Sequence, residues 1–280
     1  MKKNWRVCLS SMFAIFLVVS ATGCNAQPAT SKSTITSSSP TGSAAHAVVQ
    51  KNPHWSYEGE EGPEHWGELE KDFAACGNGH EQSPVNIEHT HLEASHTQQP
   101  LQVHYTTAKA SILNNGHTIQ INTAGPGNTI VVDGTRYTLK QFHFHHPSEH
   151  QIDGKNAEME LHFVHQSDNG RTAVLGVLIQ RGKENKAFNS IWSKLPRDTT
   201  TQESALEEGI NLASLLPKDL HSVRYNGSLT TPPCTEHVNW TILEQPIEMS
   251  ADQISRFATI FPDNHRPVQQ LGARELTADK

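Results

Sequence analysis

The chain has 280 residues, with 29 acidic side chains against 22 basic ones, a net charge of -7 and 18 histidines. No basic stripe runs along it, which argues against a nucleic-acid partner. At 35 % hydrophobic and 18 % charged, the composition is that of a globular protein, and the histidine count points to metal or proton chemistry.

The first residues read as an export signal. Lys2, Lys3 and Arg6 form a charged start, and the apolar stretch 12–19 is too short to span a bilayer. Ser20-Ala-Thr-Gly-Cys24 follows and resembles a bacterial lipobox, in which Cys24 becomes a lipidated N-terminus. Ala21 departs from the leucine commonest there, so cleavage nearby, after Ala26, is the alternative. Residues 1–23 are thus expected to be a lipoprotein-type signal. Residues 24–50, rich in Ser and Thr with almost no large apolar side chain, are expected to be a flexible tether. Residues 51–280 then form one domain, large enough for a sizeable core. The expected location is the bacterial periplasm or cell surface, with membrane attachment only through a lipid on Cys24.

Cysteine usage agrees with export. Cys8 lies in the signal and Cys24 at its end, which leaves Cys76 and Cys234 as an even pair in an oxidising compartment. A disulfide between them is expected. In the chain-entropy treatment so long a loop is worth roughly 5 kcal/mol.

Within the domain, alternating apolar and polar runs dominate: 101–105, 118–122, 129–132, 140–145, 159–165, 173–180 and 238–243. Turn signals separate them, including Asn114-Asn-Gly, Pro126-Gly-Asn and Asp133-Gly. Helical patterns are short: 186–194, 205–215 and 250–261, the last opening on Ser250 with Gln253 three residues on, a capping-box spacing. The fold class expected is mainly β (α+β): a single domain with a large central twisted, mostly antiparallel sheet and a few short peripheral helices.

Two of the strands carry chemistry. In Gln141-Phe-His-Phe-His145 the period of two puts Phe142 and Phe144 on one face and His143 and His145 on the other. In Glu158-Met-Glu-Leu-His162 and the residues after it, Leu161 and Phe163 share one face, and Glu160, His162 and Val164 the other. If these strands are neighbours with polar faces aligned, three imidazoles converge. Three histidines with one open position is the catalytic zinc arrangement, as distinct from a closed four-ligand structural site. Gln141 lies on the face of His143 and Glu160 on that of His162, so each is placed to hold a ligand ring by its other nitrogen.

The residues that match a known family run from about 54 to 274. They include Gly62-Pro-Glu-His-Trp-Gly67, Gln82-Ser-Pro-Val-Asn-Ile87, Pro147-Ser-Glu-His150, Glu160-Leu-His-Phe-Val-His165, Gly227-Ser-Leu-Thr-Thr-Pro-Pro233 and Asn264-His-Arg-Pro267, with the two histidine strands between. In this order and spacing the chain resembles an alpha-class carbonic anhydrase. The resemblance implies a zinc enzyme, one Zn2+ per chain, at the bottom of a conical cleft. It implies reversible hydration of carbon dioxide to bicarbonate and a proton by attack of zinc-bound hydroxide on carbon dioxide, with water as co-substrate. The chain is expected to act as a monomer or homodimer.

Carried over residue by residue, the resemblance assigns His143, His145 and His162 as zinc ligands and the backbone carbonyl of Asn264 as the partner of His145. Thr230 accepts a hydrogen bond from the nucleophile's proton and donates its own to the ionised Glu149, with Thr231 beside it. Val164, Val174, Leu229 and Trp240, with Val238 near, form the carbon dioxide pocket. His117 is the proton shuttle, helped by waters ordered by Asn114 and Tyr57. His146, where some relatives have an aromatic, points to the opposite face and is not expected to ligate. Rival readings are a silent binding domain of the same fold, a zinc-storage protein and another zinc hydrolase such as an esterase. The complete ligand set, Thr230, Glu149 and His117 weigh against the first, and zinc stoichiometry and ester turnover discriminate the others.

Overall fold

A computed structural model describes residues 54–95 and 98–278. The expected signal, Cys24 and the tether lie outside the described residues.

The main sheet has twelve strands among the described residues. From one edge its path runs Ser204–Asn211, Thr107–Asn114, Ile119–Thr123, Thr135–His145, Met159–Gln166, Thr172–Arg181, Glu236–Met249, Ser222–Ser228, Leu276–Ala278 and Leu92–Ala94. Most neighbours are antiparallel. Thr172–Arg181 against Glu236–Met249 and Leu276–Ala278 against Leu92–Ala94 are parallel. The sheet is therefore mixed, with one parallel pairing near its centre. The strand Thr129–Val132 joins Thr135–His145 in a two-residue hairpin. Asp133 (φ 47°) and Gly134 (φ 74°) supply the two positive φ angles that such a turn needs.

The expected alternation sets the two faces. Phe142, Phe144, Leu161 and Phe163 are all fully buried on one side. There Phe144 meets Phe188, Trp192 and Phe257 at ring separations of 5.0–6.0 Å. These last three come from the short helical segments Lys186–Phe188, Asn189–Trp192 and Ala251–Ala258, which cover that face. Ser250 and Gln253 form the expected capping box, each side chain accepting from the other's backbone N–H.

One expected helix is a strand. Residues 204–211 pair antiparallel with Thr107–Asn114, and only Leu212–Leu215 turns, as a 3-10 helix. The helix-like spacing of the buried Leu206 and Ile210 comes from a bulge between them, where Gly209 takes φ +66°. The strands Thr107–Asn114 and Ser222–Ser228 were not anticipated from the pattern. In the second, six of the seven residues are buried although only Val223 and Tyr225 are large and apolar, and Asn226-Gly227 reads as a turn signal.

Candidate active site

The two histidine strands are neighbours in the register the chemistry needs. His162 is directly opposite His143, and Glu160 opposite His145. The three imidazoles stand 4.6–5.3 Å apart between ring centroids, and their ligand atoms lie within 4.8 Å of one another. Gly176 is the partner of His162 on the next strand. A Cβ there would lie 2.6 Å from Ile242 Cδ1 and 3.0 Å from Glu160 Oε1, so the glycine makes room for the carboxylate.

Each ring is aimed by one nitrogen. His143 Nδ1 is 2.8 Å from Gln141 Oε1, and His145 Nδ1 is 2.7 Å from the carbonyl oxygen of Asn264. A carbonyl can only accept, so His145 carries its proton on Nδ1 and leaves Nε2 a bare lone pair. His162 Nε2 is 2.9 Å from Glu160 Oε1, close enough for the carboxylate to hold the neutral ring by that nitrogen. All three partners are those expected from the strand faces and from the resemblance.

Burial lowers the pKa of each of the three rings. It brings His145 to about 4 despite the carbonyl of Asn264, and it acts on His143 together with the charges of His145 and His162. For His162, burial outweighs the raising effect of Glu160. All three are therefore neutral at pH 7, the form that ligates metal. His145 Nε2 is buried without a hydrogen-bond partner. Three neutral nitrogen donors converging on one point, with an orphaned lone pair among them, fit a zinc ion.

Behind the ligands lies a buried polar network that sequence reasoning missed. Glu160 Oε2 accepts the backbone N–H groups of Glu149 and His150 at 2.9 and 2.8 Å. His150 Nδ1 is 2.8 Å from Glu160 Oε1, its Nε2 is 2.6 Å from the Tyr225 hydroxyl, and that hydroxyl is 2.9 Å from Ser83 Oγ. Burial alone would raise the Glu160 carboxyl, but His150 and His162 outweigh it and hold it well below the usual range. His150 and Ser83 lie inside the matched motifs; their distance in sequence from Glu160 and Tyr225 hid the connection.

Glu149 is fully buried, with Oε1 accepting the N–H of Arg266 at 2.9 Å and Oε2 left 3.5 Å from His145 Nε2. Burial raises its carboxyl; His162, the Thr230 hydroxyl and the Arg266 N–H pull it back only in part. Thr230 is thus near enough to act on Glu149, although no aligned hydrogen bond joins them. Thr231 is partly exposed. Val164, Val174, Leu229, Val238 and Trp240 share one apolar cluster, and the Trp240 ring stands 4.9 Å from that of His162.

His117 is half-buried and stacks on Trp55 at 3.6 Å with an interplanar angle of 7°. Burial, then the charge of His54, lowers its pKa to about 4. That lies well below the ordinary imidazole value expected of a shuttle from sequence. Tyr57 packs on Trp55 and Trp66, and burial, Glu149 and Asp263 raise its phenol.

Asn114 is a correction. Only 3 % exposed, it turns into the fold: Oδ1 accepts the Gly116 N–H, and Nδ2 donates to the carbonyls of Pro196 and Arg197. The tight turn into His117 consumes its polar atoms, leaving little with which to order cleft water. The next residue, the exposed Asn115, donates instead to Gln120, which is opposite His143 on the neighbouring strand.

His146 points away, as expected, with Nδ1 2.8 Å from the Pro262 carbonyl oxygen. Cys76 and Cys234 form the expected disulfide, with Cα atoms 5.0 Å apart.

Comparison with known proteins agrees with this geometry. The family model for eukaryotic-type carbonic anhydrase matches residues 61–280. A carbonic anhydrase of Pectobacterium carotovorum is 42% identical over 229 residues, covering 81% of this chain and 92% of that protein. One from Neisseria gonorrhoeae is 44% identical over 232 residues, covering 82% and 89%. The solved alpha-carbonic anhydrase of Thermovibrio ammonificans, in complex with the inhibitor sulfanilamide, superposes with a TM-score of 0.77 at 42% identity, covering 80% of this chain and 99% of that one. The chain belongs to the eukaryotic-type, or alpha, carbonic anhydrase family and is an enzyme of carbon dioxide hydration.

Proposed function

We propose that the chain carries one zinc ion on His143, His145 and His162 and hydrates carbon dioxide reversibly at that point. The observation that carries this reading is the buried, unpartnered Nε2 of His145 within a triad of neutral imidazoles. Among the described residues the two groups of possible ligands share His162, which supports one metal per chain. Bound zinc supplies Lewis acidity that brings the pKa of a water to about 7, a value established for carbonic anhydrase itself.

The protein's own residues do the rest. Glu149, as a carboxylate, accepts a hydrogen bond from the Thr230 hydroxyl, which commits that proton and leaves Thr230 Oγ able only to accept from the nucleophile. A nucleophile that has a proton to donate is thereby oriented, and one without is rejected. The apolar wall of Val164, Val174, Leu229 and Trp240 receives an apolar substrate beside the triad. Thr231, at the mouth, contacts bicarbonate or water. His117 passes the released proton outward, helped by Tyr57.

We further propose that residues 1–23 are removed on export, that Cys24 is lipidated, that 24–50 tether the catalytic domain 51–280, and that the enzyme works in the bacterial periplasm or at the cell surface. The disulfide supports an oxidising compartment. No helix among the described residues is long and apolar enough to cross a membrane.

The test is stopped-flow carbon dioxide hydration by the purified domain, before and after zinc removal. Fast turnover lost with the metal and restored by one equivalent is expected. A chain with one tight zinc and no turnover would refute the proposal.

A further inference from the structure

We propose that Arg266 is a positioning residue for the Glu149–Thr230 pair, and that with Gln82 it couples that pair to the Cys76–Cys234 disulfide. The activity arm of this inference rests on the proposed zinc chemistry; its redox arm does not.

Arg266 is 1 % exposed, yet among the described residues its guanidinium is hydrogen-bonded to carbonyl and amide oxygens and not to a carboxylate. Such a group is costly to bury and is retained only where its hydrogen bonds matter. Nη1 donates to Gln82 Oε1 and to the Ser83 carbonyl, both at 2.8 Å, and Nη2 to the Cys76 carbonyl at 2.8 Å. The Trp66 ring lies 5.8 Å below Cζ. Gln82 completes the clamp: its Nε2 donates to the Cys234 carbonyl at 3.1 Å. The backbone carbonyls of both half-cystines are thus held by one Arg–Gln pair.

The same arginine holds the site. Its backbone N–H is the donor to Glu149 Oε1. On the other side, the Cys234 N–H donates to the Thr231 carbonyl at 2.8 Å and the Leu229 N–H to the Thr235 carbonyl at 2.9 Å, closing the turn that carries Thr230. Glu149 is therefore tied to the disulfide through Arg266, and Thr230 through its own turn. These two tethers set the separation of the Thr230 hydroxyl from the Glu149 carboxylate, which stand near enough to interact.

Three variants test this: Arg266→Lys, the Cys76→Ser/Cys234→Ser pair, and all three changes together, each loaded with zinc and assayed below its melting temperature. Arg266→Lys and the serine pair are each expected to lower kcat/KM by about tenfold, and the triple variant to fall little further. Turnover in concentrated buffer, limited by proton transfer, is expected to change by no more than about twofold. A purely structural arginine gives losses that multiply or that follow the unfolded fraction.

The second arm titrates the disulfide with dithiothreitol. Two electrons and two protons pass to the cystine, giving two thiols, while dithiothreitol closes to its cyclic disulfide. Arg266→Lys is expected to shift the equilibrium about tenfold toward the thiols, or about 30 mV. Multiplying losses, or a potential equal to that of the wild type, overturns the coupling. If Arg266→Lys does not fold, Gln82→Met removes the same clamp from the other side. A wild-type chain with no hydration activity sinks the proposed function alone, since the redox arm still decides the coupling.

Discussion

His145 Nδ1 meets the carbonyl oxygen of Asn264 at 2.7 Å across 119 residues of sequence, and the side chain of Asn264 locks that carbonyl in place. Its Nδ2 donates to the carbonyls of His117 and Phe144, both at 3.0 Å, and its Oδ1 accepts the N–H of His146 at 2.8 Å. One asparagine thus orders the end of the first ligand strand and the start of the His117 turn.

Asn264→Ala is therefore expected to loosen the metal site without touching a ligand. Zinc affinity should fall by about 10- to 100-fold, the usual effect of losing a partner that orients a ligand. Competition with a chromophoric chelator measures this. An unchanged affinity would mean that the carbonyl keeps its aim without the side chain.

Thr230→Ala removes the hydroxyl that Glu149 is proposed to orient. The expected result is a fall of about a hundredfold in kcat/KM, in the range for losing one preorganised hydrogen-bonding group, with zinc content unchanged. Parallel measurement of bound metal separates this from loss of the ion. A loss below about threefold would remove Thr230 from the site's chemistry.

The depressed pKa of His117 has a visible cause in its stack on Trp55. Trp55→Ala exposes the ring, and its pKa should rise from about 4 toward the ordinary 6.5, read by NMR titration of the imidazole. His117→Ala should slow proton transfer in dilute buffer and be rescued by added imidazole. Undiminished turnover without rescue would exclude His117 as the shuttle.

His165 gives the fold a pH dependence separate from catalysis. Fully buried, with Nε2 2.6 Å from the Tyr105 hydroxyl, it is lowered by burial to about 3. The unfolded chain, with an ordinary imidazole, binds the proton more readily. Stability is therefore full above about pH 6.5 and lost as pH falls toward 3. At pH 5 this one residue should account for about 2 kcal/mol of the loss relative to pH 7. Denaturant unfolding of wild type and His165→Gln at both pH values checks it: the variant, whatever its stability at pH 7, should lose that much less on acidification.

Much of the site was legible because a strand states its own faces. Once His143, His145, Glu160 and His162 are read with a period of two, their side of the sheet follows from backbone geometry alone. The same rule placed Gln141 against His143 and Phe142 and Phe144 in the core. It failed where the chain departs from regularity. The bulge at Gly209 lent Leu206 and Ile210 a helical spacing, and Ser222–Ser228 has only two large apolar residues and a turn-like Asn226-Gly227 pair to mark it as a strand. Asn114 and Asn115 are neighbours in a turn, where no period tells which amide faces the cleft.

What the sequence by itself determined is the candidate ligand set and the even cysteine pair, which residue type and local period carry without any knowledge of neighbours, and the family, which the ordered motifs carry. The tertiary structure alone decided the register that sets His162 against His143, the low pKa values that burial imposes on the three ligands and on His117, and the reach of Arg266 from Glu149 to Cys76. The physical reason is that register, desolvation and long-range hydrogen bonds depend on which distant segments share a space, and no local pattern along the chain encodes that distance.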